Sequence, residues 1–227
     1  MEVSQILVSI LVIVITSGLL IVTGLRKQPG IGVIGAVVVI ILLLLLRKEG
    51  LSAIGFSQPQ NWGATILWGL IWGTVIQLAA IIIIEPLSEK ITQTTHDHSV
   101  VENVKGSWLA FMQWIIIVWV LVAFLEEGIY RGFLMTEVAK ILGDGTIALV
   151  VNISLTATVF GLSHGYQSRS GIVSTGVVGA ILGIIFVSSG FNVWLALFTH
   201  GFIDTVGIGL IALGKDKEIR EKIWQKS

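Results

Sequence analysis

Six ionisable residues stand inside otherwise apolar stretches of this chain: Glu126, Glu127, Arg131, His164, His200 and Asp204. An ionisable side chain at membrane depth costs from about 2.5 kcal/mol upward, so such groups face a cavity and take partners. Helical spacing sorts them. Glu127 and Arg131 are four residues apart, on one face, with the acid N-terminal to the base, the favourable order for an ion pair. Glu126 is rotated by about 100° from Glu127, so that arginine does not neutralise it. His200 and Asp204 are again four apart, which projects an imidazole and a carboxyl together. His164 closes the stretch FGLSH, with Phe160 one turn earlier. Carboxylate beside imidazole is proton-transfer chemistry, and water admitted among these groups would meet both a base and a donor. A buried pair that only fixes helix packing accounts equally well for Glu127 and Arg131. It accounts less well for Glu126, His164 and His200. Composition and spacing lead to a polar intramembrane site and no further.

The elements that must position these residues are written in composition. Of 227 residues, 54% are hydrophobic and 12% charged, whereas a soluble domain carries about a quarter charged residues. A bilayer core needs about 20 apolar helical residues, and the uncharged runs are Val3–Leu25, Gly30–Leu46, Trp62–Ile84, Ser107–Leu125, Thr146–Ser163, Gly171–Ser189 and Phe191–Leu213. They predict an all-α, polytopic transmembrane bundle of seven spans, or eight if a run is broken or Glu137–Leu142 forms a short helix of its own. A soluble bundle is excluded because Ile6–Leu25 and Val33–Leu46 offer no polar stripe to water. Val3–Leu25 is longer than a signal-peptide core, lacks basic residues before it and ends in Arg26-Lys27, so it reads as a span. The chain has no cysteine, which removes disulfides, thiol catalysis and cysteine-ligated metals. A formal charge of zero argues against a nucleic-acid partner. Glycines at 161, 165, 176, 179 and 183 suit close helix packing in lipid.

Residues 1–227 read as one transmembrane domain with short connections, except for Glu85–Gly106. Pro86 fits the end of the preceding helix. Within that loop, THDH (Thr95–His98) offers possible metal ligands in His96, Asp97 and His98, but with no further partner it reads as a solvated loop. LSAIGFSQPQNW (Leu51–Trp62) reads as an interfacial segment, and Lys215–Ser227, with Ile219 and Ile223 on one face, as a tail lying on the inner leaflet. For seven spans with the C-terminus inside, inner segments carry ten lysines and arginines against three outside, which favours a cytoplasmic C-terminus.

At this point the residues resemble a known family. EEGIYR resembles the EExxxR motif of the CAAX prenyl protease and bacteriocin-processing membrane proteins, the type II CAAX endopeptidase group. FGLSH is similar to its FxxxH motif, and HGFID (His200 to Asp204) to its HxxxN/D motif. All three occur in the family's order, and the resemblance covers roughly Ser107 to Leu213, the expected catalytic core. It implies an intramembrane glutamate-type endopeptidase in which Glu126 and His164 activate a water while His200 and Asp204 hold the oxyanion, with Glu127, Arg131 and Phe160 in support. Burial makes such a carboxylate a better base, and amide hydrolysis needs both a base and donors for the oxyanion. Asp204 is the awkward member, since an ionised carboxylate repels an oxyanion. Either it is protonated, or it orients His200 by accepting its N–H; the second reading is favoured.

The resemblance implies a membrane-associated peptide or protein substrate, prenylated or not, the lipid bilayer as surroundings, and the cell membrane as location. No metal and no cofactor are assigned. Three other readings stay open: a zinc peptidase using Glu126, His164, His200 and Asp204, although no HExxH is present; a proton-coupled carrier, although no inverted repeat is evident; and a non-catalytic scaffold or bacteriocin-immunity protein.

Overall fold

Hydrocarbon leaves a backbone no partner but itself, so uncharged runs of this length must be helical. In the computed structural model, which describes residues 3–224, no strand occurs among the described residues. Among the described residues, seven helices are long and apolar enough to cross a membrane: α1 (Val3–Leu25), α2 (Pro29–Arg47), α3 (Trp62–Thr92), α4 (Trp108–Leu142), α5 (Thr146–Ser163), α6 (Gly165–Ser188) and α7 (Val193–Ala212). A polar helix, α8 (Lys215–Trp224), follows. Leu11, Ile34, Leu46, Ile116 and Ile147 point outward, exposed, an arrangement that suits a lipid solvent and no other. The chain is an all-α integral membrane protein.

Two helices outrun their predicted ends. Pro86 does not stop α3, which continues to Thr92. A wide π turn at Ala80–Ile84 precedes it, and the proline sits in the first turn of the helix that resumes at Glu85. Proline has no N–H for the carbonyl four residues back. That carbonyl, of Ile82, accepts instead from the indole Nε1 of Trp224 in α8 (2.8 Å). Arg220 of α8 also reaches Glu85 (3.6 Å) and Glu89 of α3. The described contacts of the tail are therefore with protein, α3 and the end of α7; the side chain of Ile223 and residues 225–227 lie outside the described residues.

Helix α4 runs straight through EEGIYR for 35 residues, about 52 Å at 1.5 Å per residue, against a hydrocarbon core of about 30 Å. The segment at Glu137 is its continuation, so it adds no eighth span. Two π stretches, Val118–Ala123 and Gly128–Met135, flank a single α-helical turn, Phe124–Glu127. Such wide turns shift side-chain phase and are frequent at functional sites. Near the end of α4, the buried Glu137 accepts from Ser9 Oγ of α1, Arg47 Nη1 of α2 and its own Lys140 Nζ, each at 2.7 Å, tying three helices together.

Small residues set the closest approach. A Cβ on Gly161 would lie 2.5 Å from the carbonyl oxygen of Ile172 and 3.1 Å from the Cα of Gly176, so α5 and α6 touch backbone to backbone. Residues 51–56 also differ from the interfacial reading. Ile54 is buried, the Phe56 ring lies 5.2 Å from Phe124 and 5.6 Å from Trp194, and Val193 N–H donates to the Gly55 carbonyl (3.0 Å). The segment dips inward and braces α4 just beside its two glutamates.

Candidate active site

Three helices bring the motif residues together. On α4, Glu127 is fully buried, and its Oε1 accepts from Arg131 Nη1 at 2.6 Å and from His200 Nδ1 at 2.8 Å. Arg131 is buried as well. Its Nη2 donates to the Gly179 carbonyl of α6 (2.9 Å), and its guanidinium carbon lies 4.6 Å from the Phe160 ring centroid. The arginine thus has a carboxylate, a carbonyl and an aromatic face, three ways of replacing lost water.

Phe160 is the hub. Its ring centroid lies 4.5 Å from that of His164, 4.8 Å from Tyr130 and 6.1 Å from His200. The chain leaves α5 at Ser163, so the Phe160 carbonyl is among those with no helical N–H to accept. Ser163 Oγ and His164 Nδ1 both donate to it (2.7 Å each), and Tyr130 OH donates to Ser163 Oγ (2.7 Å). A carbonyl can only accept, so the Nδ1 proton of His164 is committed and its Nε2 keeps the lone pair in the neutral ring. That Nε2 lies 3.8 Å from Glu126 Oε2, a buried oxygen with no hydrogen-bond partner. The gap is too long for a direct bond.

On α7, His200 is held between two carboxylates: Glu127 on Nδ1, and Asp204, whose Oδ2 is 3.6 Å from Nε2. The closer carboxylate to His200 is that of Glu127, a tertiary contact across 73 positions that helical spacing does not reveal. Tyr130 and Ser163, unread in the motifs that contain them, complete the mounting of His164. A cavity of about 230 Å³ is lined by His164, Tyr166, His200 and Asp204 among others; Glu126 is not part of its wall.

The zinc-peptidase set does not converge. Among the described residues, the group of three that offers ligand atoms within 4.8 Å of one another is Glu85, His96 and His98. These also line the cavity, so the THDH stretch is not a merely solvated loop. It is strapped to the start of α6: Asp97 N–H donates to Gln167 O (3.1 Å), Ser168 Oγ to Thr95 O (2.7 Å) and Ser170 N–H to Thr94 Oγ1 (3.1 Å). Burial holds the His96 imidazole down at about 4, against its pull from Glu85, so this ring is neutral at pH 7.

An all-helical membrane protein with a carboxylate–imidazole site shared by three spans is the class these observations define. Residues 108–206, which contain all three motifs, match the family described as Type II CAAX prenyl endopeptidase Rce1-like. The match supports a membrane endopeptidase with a membrane-associated substrate. No curated protein and no solved structure matches the chain.

Proposed function

We propose that this protein is an intramembrane glutamate-type endopeptidase in which Glu126 and His164 activate the hydrolytic water. One observation carries the reading: Glu126 Oε2, buried without a hydrogen-bond partner, and the lone-pair Nε2 of His164 face each other across 3.8 Å. Two lone pairs at that distance need a shared proton donor, and a water within ordinary hydrogen-bond reach of both supplies one. When the water oxygen attacks the peptide carbonyl carbon, its proton passes to the Glu126–His164 pair. The tetrahedral intermediate then collapses, the C–N bond breaks, and the same proton leaves with the amine.

His200 is the donor for the oxyanion. For Nε2 to donate while Nδ1–H stays on Glu127, the ring must carry both protons, and a carboxylate at each nitrogen provides the countercharge. Asp204 then balances charge beside the site. The substrate is a peptide or protein held at the membrane, with a prenylated CAAX tail as the version the family description names; the protein sits in the cell membrane with its C-terminus cytoplasmic.

The test is hydrolysis of two quenched fluorescent peptides, one farnesylated and one not, by purified protein and its Glu126→Gln variant. Cleavage by the wild type, abolished in the variant, is expected. Undiminished cleavage by a folded Glu126→Gln protein would end the proposal, and preference between the peptides assigns the substrate class.

A further inference from the structure

The loop after α3 carries a second constellation that peptide hydrolysis does not use. Glu85 is buried near the end of α3 while His96 and His98 come from the strapped loop, and one ligand atom from each falls within 4.8 Å of the others. His98 Nε2 already lies 3.5 Å from Glu85 Oε2. Around a tetrahedral zinc ion with bonds of about 2.1 Å, neighbouring ligand atoms lie about 3.4 Å apart, so this edge is at its liganded length.

The surroundings are those of a mounted ligand. Ser174 Oγ donates to the Gly171 carbonyl (3.2 Å) and meets His96 Nδ1 at 3.0 Å. With the serine proton on the carbonyl, Nδ1–H donates to Ser174 Oγ and Nε2 is the nitrogen that would hold an ion. An imidazole whose second nitrogen is anchored in this way is the usual arrangement at a metal. The backbone N–H of His96 donates to Glu89 Oε1 (2.9 Å), which fixes the main chain at the same point. The two imidazoles stack at 4.4 Å between centroids, 13° from parallel. Convergence on one ion therefore needs the stacked rings to splay while the Glu85–His98 edge is kept, and the His98 side chain is 37% exposed. Arg220 competes for Glu85 at 3.6 Å, but its closer partner is Glu89, so the guanidinium keeps a carboxylate if Glu85 turns to a cation.

The geometry points to a divalent transition-metal site, of the zinc class, formed by Glu85, His96 and His98 in the wall of the cavity. The ion completes its shell with water and pins the loop to α3, fixing the wall that faces His164 and His200. Its consequence for assays is direct: chelator sensitivity would not identify a zinc peptidase, because this ion lies outside the acid–imidazole site.

The test uses the full-length protein in detergent micelles, titrated with Co²⁺ and followed by ligand-field absorption, with Zn²⁺ displacement and calorimetry for stoichiometry. One equivalent is expected, with affinity falling by more than 100-fold in His98→Ala, a loop change that spares the bundle. Ser174→Ala should weaken binding by about 10- to 100-fold, the range for loss of an outer hydrogen bond to a ligating histidine. His164→Ala should bind as the wild type does. Absence of a one-equivalent site in the wild type would overturn the inference. So would a Co²⁺ spectrum that survives the His96→Ala/His98→Ala double change, or one lost with His164→Ala.

Discussion

The most informative perturbation is Glu127→Gln, paired with Arg131→Met. Glu127 Oε1 accepts two charge-assisted bonds, from Arg131 at 2.6 Å and His200 at 2.8 Å, and its Oε2 is buried without a partner. Glutamine keeps an acceptor for both donors, but a neutral acceptor is about half as strong, which loses about 1 kcal/mol per bond. Its amide nitrogen then occupies the Oε2 position with no acceptor, a further cost of about 1–3 kcal/mol. The sum, about 3–5 kcal/mol, falls in the range for breaking a buried ion pair from one side. Arg131→Met should cost a similar amount by stranding the carboxylate. The double variant removes both charges, so its cost should fall short of the sum by about 2 kcal/mol. Stability is read by reversible denaturant titration in mixed micelles, and hydrolysis is read per folded molecule. Arg131→Met retains the Glu127–His200 bond and should keep activity within about 10-fold, whereas Glu127→Gln should lose about 10²-fold or more. Additive stability costs, or an Arg131→Met protein less active than Glu127→Gln, would refute the assignment of Glu127 as the residue that positions His200.

Other outcomes follow from the same geometry. His164→Ala should abolish peptide cleavage, while Asp204→Asn should retain much of it; the reverse order in a peptidase assay would exchange their roles. Gly161→Leu forces α5 from α6, because even a Cβ would lie 2.5 Å from the Ile172 carbonyl oxygen. Thermal denaturation in detergent should show a loss of about 1–3 kcal/mol or more. Arg220→Ala removes the ion pairs that hold α8 to Glu85 and Glu89, and hydrogen exchange of residues 215–224 should quicken without change in α5.

What the sequence discloses here is what helix periodicity can express. Uncharged runs identify every span, and four-residue spacing brings Glu127 to Arg131 and His200 towards Asp204. Contacts between distant segments are silent: nothing at Glu127 announces His200, and nothing in THDH announces Glu85, because that pairing depends on α3 continuing beyond Pro86. The rule that proline ends a helix failed where a π turn and the Trp224 indole accommodate the missing N–H. Likewise Ile54 and Phe56 share the composition of a surface segment, and only the space beside α4 decides that they turn inward. Tyr130 and Ser163 lie within recognised motifs, yet their hydroxyls matter through a carbonyl exposed by the end of α5, a detail of termination that residue types do not encode.

The expanded winding of α4 between Gly128 and Met135 has a consequence for how such chains can be cut and compared. A wide turn takes up about one residue more than ordinary pitch, so the same stretch wound as plain α-helix would swing everything beyond it by about 100°. Glu126 and Glu127, upstream, would keep their places, but Glu137 would turn away from Ser9 and Arg47. About one residue of surplus backbone thus lets a single rod serve two addresses, and an alignment gap at that point would mark a change of winding.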